Sequence, residues 1–318
     1  MPSILATSRS FSAGSVDLVA RLRSAGHDVI TGPADHDLDR LAAALHEAVA
    51  WVAGTGPVTA AHLDAAPRLR VVARYGVGFD AVDVEAAAER GIVVTNTPGA
   101  NSAAVADHAI GLMLAVLRHT TEGDRRVRLG DWSVIRGREL GALTIGIVGF
   151  GRIGQGVARR LSGFGSTILA NDPWLSDDDV AAAGASPIGF DELASRADLV
   201  SLHAPGGATI VDSEWLTAAK GGVVIVNTAR PELVDEQAIA DAMREGTVSG
   251  FAADTLRGDT RAESSALLAR DLADRVIVTP HFGAQTTEAI DAMGSMAVDN
   301  VLAVLDGMAP PNPVGPGL

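Results

Sequence analysis

Short, β-branched apolar runs recur along the chain at 49–53, 71–74, 92–95, 144–148, 167–171, 199–203, 223–227 and 276–279. Between them lie segments whose apolar positions follow a helical spacing, such as 83–90, 154–164 and 235–245. Runs this short and this apolar are strands buried on both faces. Their alternation with helices predicts an α/β fold with parallel sheets covered on both sides. A longer helix is expected over 101–119, with Asn101 or Ser102 as its cap. Its apolar residues (Ala103, Val105, Ile110, Leu112, Met113, Leu114, Val116, Leu117) cover most of its circumference, so it is either a core helix or a subunit interface. The Thr97-Pro98-Gly99-Ala100 break just before it marks a domain boundary. The Pro-rich tail from Pro310 is expected to end in extended coil.

Composition narrows the function. The 318 residues are 47% hydrophobic and 20% charged, an ordinary globular balance, and the length suits two domains. A formal net charge of −14 repels nucleic-acid backbones and anionic lipid. The chain has no cysteine, which excludes disulfides, thiolate nucleophiles and Cys-ligated zinc. The N-terminus lacks the basic and apolar regions of a signal peptide, and no apolar run reaches the ~18–20 residues of a membrane span. A cytoplasmic protein is therefore expected. P-loop, Gly-x-Ser-x-Gly and His-Glu-x-x-His motifs are absent, which argues against an NTPase, a serine hydrolase and a metalloprotease, and no metal site is expected.

The strongest local signal is Gly149-Phe150-Gly151-Arg152-Ile153-Gly154, entered by a β-rich run and left by a helical one. Gly149 allows a tight turn, Gly151 lets a pyrophosphate approach the backbone, and Gly154 lets helix and strand pack closely. In a chain with 35 glycines the pattern alone is weak. The next strand, however, ends at Asp172, where a carboxylate accepts from adenosine ribose hydroxyls and repels a 2′-phosphate, favouring NAD over NADP. The alternative is that Asp172 only opens the Asp172-Pro173 turn.

Three later strands end in chemistry: Asn227-Thr228-Ala229-Arg230, Ala253-Asp254 and Thr279-Pro280-His281. Histidine titrates near neutrality and suits removal of a hydroxyl proton. Arginine offers a bidentate fork to a substrate carboxylate.

Together with Ala73-Arg74-Tyr75-Gly76-Val77-Gly78-Phe79-Asp80, Asn96 to His108 and His203-Ala204-Pro205, these segments resemble the D-isomer-specific 2-hydroxyacid dehydrogenase family, which includes 3-phosphoglycerate dehydrogenases and glyoxylate/hydroxypyruvate reductases. The resemblance covers nearly all of the chain. It implies two Rossmann-like domains with the active site in the interdomain cleft: a substrate domain at 1–99 and 289–318, and an NAD-binding domain at 100–288. It implies NAD-dependent hydride transfer at C2 of a small D-2-hydroxy acid, 3-phosphoglycerate or hydroxypyruvate among them, and a homodimer formed through the nucleotide domain. Arg230 resembles the arginine that holds the substrate, and His281 the acid/base. The backbone of Val77 and Gly78 resembles the loop that contacts the substrate carboxylate. Arg152 and Ile153 join the glycines at the pyrophosphate, Pro205, Thr228 and Ala229 line the cofactor cleft, and Asp254 contacts the nicotinamide carboxamide. Gly283 belongs to the same cofactor-binding set.

The departures matter as much. The carboxylate partner of the histidine, a glutamate in the family, falls on Asp259, with Glu263 as the alternative; a solvated loop acid is the plain reading of Asp259. Pro231-Glu232 follows Arg230 where the family has glycine, and the segment after Pro205 is about three residues short. An NAD(H)-sensing binding protein that has lost turnover is the rival reading. No regulatory domain, and so no serine feedback, is expected after residue 318. Among the remaining candidates, His27, His36, His46 and His62 read as surface residues, Asp107-His108 as structural, and Trp132 as core filling rather than padding for a neighbouring subunit. His203 reads equally as packing or ligand contact.

Overall fold

The computed structural model describes residues 1–257 and 265–315. Asp259 and Glu263 lie outside the described residues. The chain divides into two compact units: Met1–Ala104 with Ala284–Leu318, and Val105–Gly283. The first break thus falls inside the long helix rather than at Gly99, and the second before Ala284 rather than after residue 288.

Unit 1 begins β1 (Ser3–Ala6), α1 (Leu18–Ser24), β2 (Asp28–Thr31), α2 (Leu38–Glu47), β3 (Ala48–Ala53), α3 (Ala60–Asp64), β4 (Val71–Arg74), α4 (Val84–Glu89), β5 (Val93–Thr95). The long helix α5 (Ser102–Leu117) leads into unit 2, which continues α6 (Thr120–Arg128), β6 (Thr144–Val148), α7 (Arg152–Ser162), β7 (Thr167–Asn171), α8 (Asp177–Ala182), β8 (Ser186–Pro187), α9 (Phe190–Arg196), β9 (Leu199–Leu202), α10 (Ser213–Ala218), β10 (Val223–Asn227), α11 (Glu236–Glu245), β11 (Val248–Ala253) and β12 (Val276–Val278). Helix α12 (Thr287–Leu305) and β13 (Pro313–Val314) complete unit 1.

The unit 2 sheet runs β12-β11-β10-β9-β6-β7-β8 and is parallel throughout. Its strand order reverses between β6 and β9, the crevice where open α/β sheets bind ligands. Both faces are covered, which explains the unbroken apolar runs. In β10, Val224 and Val226 face a core shared with Ala109 and Met113 of α5 and Val157 and Leu161 of α7. Val223 and Ile225 face the opposite core, with Leu193, Trp215, Ile239 and Phe251. Helix α5 is therefore a core helix.

The unit 1 sheet runs β13-β5-β4-β3-β1-β2. Ala50 and Val52 of β3 pack toward α1 and α12, while Trp51 and Ala53 pack toward α2 and α3. The described part of the tail is not all coil: Pro313 and Val314 pair antiparallel with Thr95 and Val94 of β5. Proline is tolerated there because β13 is an edge strand.

Two of the expected surface histidines are core residues. Thr7 Oγ1 accepts from Trp51 Nε1 (2.9 Å) and from the Gly54 amide (3.2 Å), so its own proton goes to His36 Nε2 (2.6 Å). His36 Nδ1 then donates to the Pro57 carbonyl (3.0 Å). His62 Nε2 donates to the His36 carbonyl (2.7 Å), and its Nδ1 accepts from the Thr59 amide (3.2 Å). Every ring nitrogen has a partner, which is how a polar residue enters a core. Trp132 departs the other way. It is 79% exposed, beside Leu129 and Val134, and fills no core in this chain. Among the described residues, no helix is long and apolar enough to cross a membrane, and no cluster of His, Asp and Glu can hold a metal ion.

Candidate dinucleotide and catalytic site

The glycine turn lies between β6 and α7. Gly149 has φ +84°, and a Cβ there would sit 2.5 Å from the Ala204 amide nitrogen, two residues past β9 across the switch point. A Cβ on Gly154 would overlap the Gly149 carbonyl oxygen, so glycine is what lets α7 start this close to β6. Gly151 is different: a Cβ there would meet nothing within 4 Å. The space above it is open, as a phosphate cradle requires. Gly151 caps α7 without any side-chain hydrogen bond, which leaves the first-turn amides, those of Arg152 and Ile153 included, without a capping side chain, available to an anion.

Asp172 follows β7 and reaches back to this turn. Its Oδ2 accepts from the Phe150 amide (2.7 Å) and its Oδ1 from the Trp174 amide (3.0 Å). It therefore forms the Asp-Pro turn and also locks the glycine loop, and each oxygen retains lone-pair capacity for a ribose hydroxyl. Across the switch point, His203 at the end of β9 shares Nε2 with Ser201 Oγ (2.9 Å) and faces Thr228 Oγ1 through Nδ1 (3.5 Å). Desolvation pushes its pKa down to about 4, so the ring is neutral at pH 7. Pro205 follows, exposed.

Arg230 leaves the end of β10 over a turn closed by Asn227, whose Oδ1 accepts from the Ala229 amide (3.0 Å) and whose Nδ2 donates to the Arg230 carbonyl (2.8 Å). Arg230 Nη1 donates to the Ala229 carbonyl (2.9 Å). Pro231 then starts a 3₁₀ turn, its fixed φ suited to that place.

Asp254, one residue past β11, is buried. Its Oδ1 accepts from Thr279 Oγ1 (2.5 Å) and the Phe282 amide (3.0 Å), and its Oδ2 from the Gly283 amide (2.7 Å). Burial alone would raise its pKa, but these bonds and that of His108 outweigh it and hold the carboxyl below its ordinary value. Because Thr279 gives its proton to Asp254, His108 Nε2 is the donor to Thr279 Oγ1 (2.9 Å). His108 also packs against Phe282 at a tilt, with ring centroids 5.1 Å apart. The sequence reading gave Asp254 to the nicotinamide. In the structure both of its oxygens already accept from the turn that carries His281. That turn needs holding, since His281 has φ +53°, left-handed backbone that costs a non-glycine residue about 1 kcal/mol.

In unit 1, Val77 and Gly78 sit in the loop after β4. Asn96 Nδ2 donates to the Val77 carbonyl (2.8 Å), and the Thr97 amide to that of Gly76 (3.1 Å). The buried Arg74 guanidinium lies against Gly76, whose Cβ would be 3.1 Å from Nη1. Arg74 escaped the sequence reading; its signal is a charged residue closing the wholly apolar run Val71-Val72-Ala73. Glu236 escaped too. Its two oxygens accept from the Arg257 amide (2.7 Å) and Ser265 Oγ (2.6 Å), the residues that flank 258–264.

A glycine turn at the switch point, an open helix N-terminus and a carboxylate ending the second strand define a Rossmann-type dinucleotide-binding unit. Residues 110–283 match the family model described as the NAD binding domain of D-isomer specific 2-hydroxyacid dehydrogenase. The chain belongs to the D-isomer specific 2-hydroxyacid dehydrogenase family, and its second unit contains the NAD-binding domain. It is 41% identical over 291 residues to a D-3-phosphoglycerate dehydrogenase of Mycobacterium leprae, covering 90% of this chain and 54% of that protein. It is 37% identical over 267 residues to a glyoxylate reductase of Korarchaeum cryptofilum, covering 81% and 80%. The chain thus spans about half the length of the phosphoglycerate dehydrogenase it matches. Among solved structures, the TT0316 protein from Thermus thermophilus superposes with a TM-score of 0.88 at 34% identity, over 98% of this chain and 99% of that one.

Proposed function

We propose that this chain is an NAD-dependent oxidoreductase acting at C2 of a small D-2-hydroxy acid or the matching 2-keto acid. The observation that carries the reading is the placement of Arg230, Asp254 and His281 after three adjacent strands, β10, β11 and β12, of the sheet whose β6 end forms the cofactor turn. Gly149, Gly151, Arg152, Ile153 and Gly154 are assigned to the pyrophosphate and Asp172 to the ribose. Pro205, Thr228, Ala229 and Gly283 are assigned to the nicotinamide half, and Asp254 to both the carboxamide and the His281 turn. NAD held by these residues would supply the acceptor for the C2 hydride in oxidation and its donor in reduction. His281 takes the hydroxyl proton in the first direction and gives it back in the second. Arg230 is assigned to the substrate carboxylate, as the family resemblance implies for the Val77 and Gly78 amides. Asp259, or Glu263 in its place, is assigned to orient the imidazole and stabilise its charged form.

The relatives' names, D-3-phosphoglycerate dehydrogenase and glyoxylate reductase, bracket the substrate class. The reading includes a homodimer formed through exposed Val127, Leu129, Trp132 and Val134, and a cytoplasmic setting, where an NAD pool is at hand.

The test is loss of NADH absorbance with hydroxypyruvate, glyoxylate, phosphohydroxypyruvate and phenylpyruvate. At least one acid is reduced. His281→Ala lowers kcat by about 10²–10⁴-fold, and Arg230→Ala raises KM by about 30-fold or more, the equivalent of a lost charge-assisted pair. NADH fluorescence that titrates normally while no acid is consumed would establish the sensor reading instead.

A further inference from the structure

We propose that Glu232 is a specificity-determining residue that turns the site toward 2-keto acids bearing no second negative charge, and away from phosphorylated ones. The inference rests on the oxidoreductase reading and deepens it.

Glu232 is half-buried in the 3₁₀ turn Pro231–Leu233, immediately after Arg230. Its backbone is held from both sides. Thr209 Oγ1 donates to its carbonyl (2.9 Å), and the Ile210 and Val211 amides donate to that of Leu233 (2.9 and 3.0 Å). The Leu233 amide returns to the Arg230 carbonyl (3.3 Å). Its side chain turns onto Gly206: a Cβ added there would overlap Glu232 Oε1 and lie 3.0 Å from the carboxyl carbon and 3.3 Å from Arg230 Cγ. The carboxylate and the Arg230 stem thus share one spot above Gly206, and the glycine next to Pro205 is what makes room for them.

A carboxylate fixed beside the stem of the substrate-holding arginine changes what that arginine can attract. One substrate carboxylate still meets the guanidinium fork. A further dianionic group in the same site meets a fixed negative charge, and repulsion between one carboxylate and a dianion roughly 8 Å away, at an effective dielectric near 60 for a half-exposed group, alters affinity by about an order of magnitude. Discrimination here works by penalising the wrong substrate rather than by gripping the right one.

The experiment compares kcat/KM for hydroxypyruvate and phosphohydroxypyruvate, which differ by the phosphate, in the wild type, Glu232→Gln and Glu232→Asp. The wild type prefers hydroxypyruvate. Glu232→Gln, nearly isosteric, moves the ratio toward the phosphorylated acid by about 10-fold. Glu232→Asp retains the charge and most of the wild-type ratio. Raising salt shrinks the difference between wild type and Glu232→Gln, because added ions screen the carboxylate. A purely structural role for Glu232 would lower both kcat/KM values together and leave the ratio and its salt dependence unmoved, which would overturn the proposal. So would a wild type that prefers phosphohydroxypyruvate. If neither acid nor any other 2-keto acid is turned over, it is the oxidoreductase reading that fails.

Discussion

A neutral imidazole at position 36 suits this fold, and a charged one does not. His36 is 2% exposed, and its Nε2 faces a threonine hydroxyl that already accepts two N–H groups. Protonating Nε2 would set a third donor against that oxygen. Desolvation, opposed in part by the Pro57 carbonyl and aided by His62, therefore lowers the pKa from 6.5 to about 4. A folded pKa below the unfolded one means the unfolded chain binds the extra proton first. The stabilisation is complete above about pH 6.5 and lost as pH falls from there toward about 4, about 3 kcal/mol in all. Urea unfolding across that window should show stability falling with pH, with a shallower slope in His36→Gln; an unchanged slope would remove His36 from the account. His203 has the same sign in unit 2. The sequence read His36 as a surface residue and left His203 open between packing and ligand contact. Burial of a polar ring depends on partners distant in the chain, here Thr7 and Pro57, and local pattern does not carry that information.

The unit formed by β6, the glycine turn and α7 divides its glycines by task. Gly154→Ala pushes a methyl into the Gly149 carbonyl, and overpacking of this kind costs about 1–3 kcal/mol. It should lower the melting temperature and weaken NADH binding together. Gly151→Ala enters open space, so it should leave the melting temperature unchanged and weaken NADH binding alone, since the methyl occupies the room meant for phosphate. Thermal unfolding beside a fluorescence titration separates the two. The glycine pattern was legible in the sequence because the turn, the close approach and the helix start all lie within six consecutive residues. The parallel strands were legible because covering both faces of a sheet demands uninterrupted apolar runs, as in Val223-Val224-Ile225-Val226. Strand β13 was not, because it is an edge strand of two residues, one of them proline, and its pairing with β5 comes from a contact more than two hundred residues away.

For the whole molecule, the proposed homodimer rests on the exposed apolar residues of the segment after α6. Leu129, Trp132 and Val134 are 72%, 79% and 97% exposed within one short stretch, the surface that the proposed homodimer would cover. Light scattering should report a dimer, and Trp132→Ser with Val134→Ser should shift it toward monomer; a wild-type monomer would refute the association. The sequence by itself determined the α/β class, the cofactor turn and the strand ends bearing Arg230, Asp254 and His281, because each is written in consecutive residues whose periodicity or backbone demands are local. Only the tertiary structure decided that Asp254 holds the His281 turn, that Glu236 ties Arg257 to Ser265, that Arg74 lies under Gly76 and that Glu232 rests on Gly206. Those pairings are set by which strands lie side by side in the sheets, a long-range arrangement that packing fixes and the one-dimensional pattern leaves open.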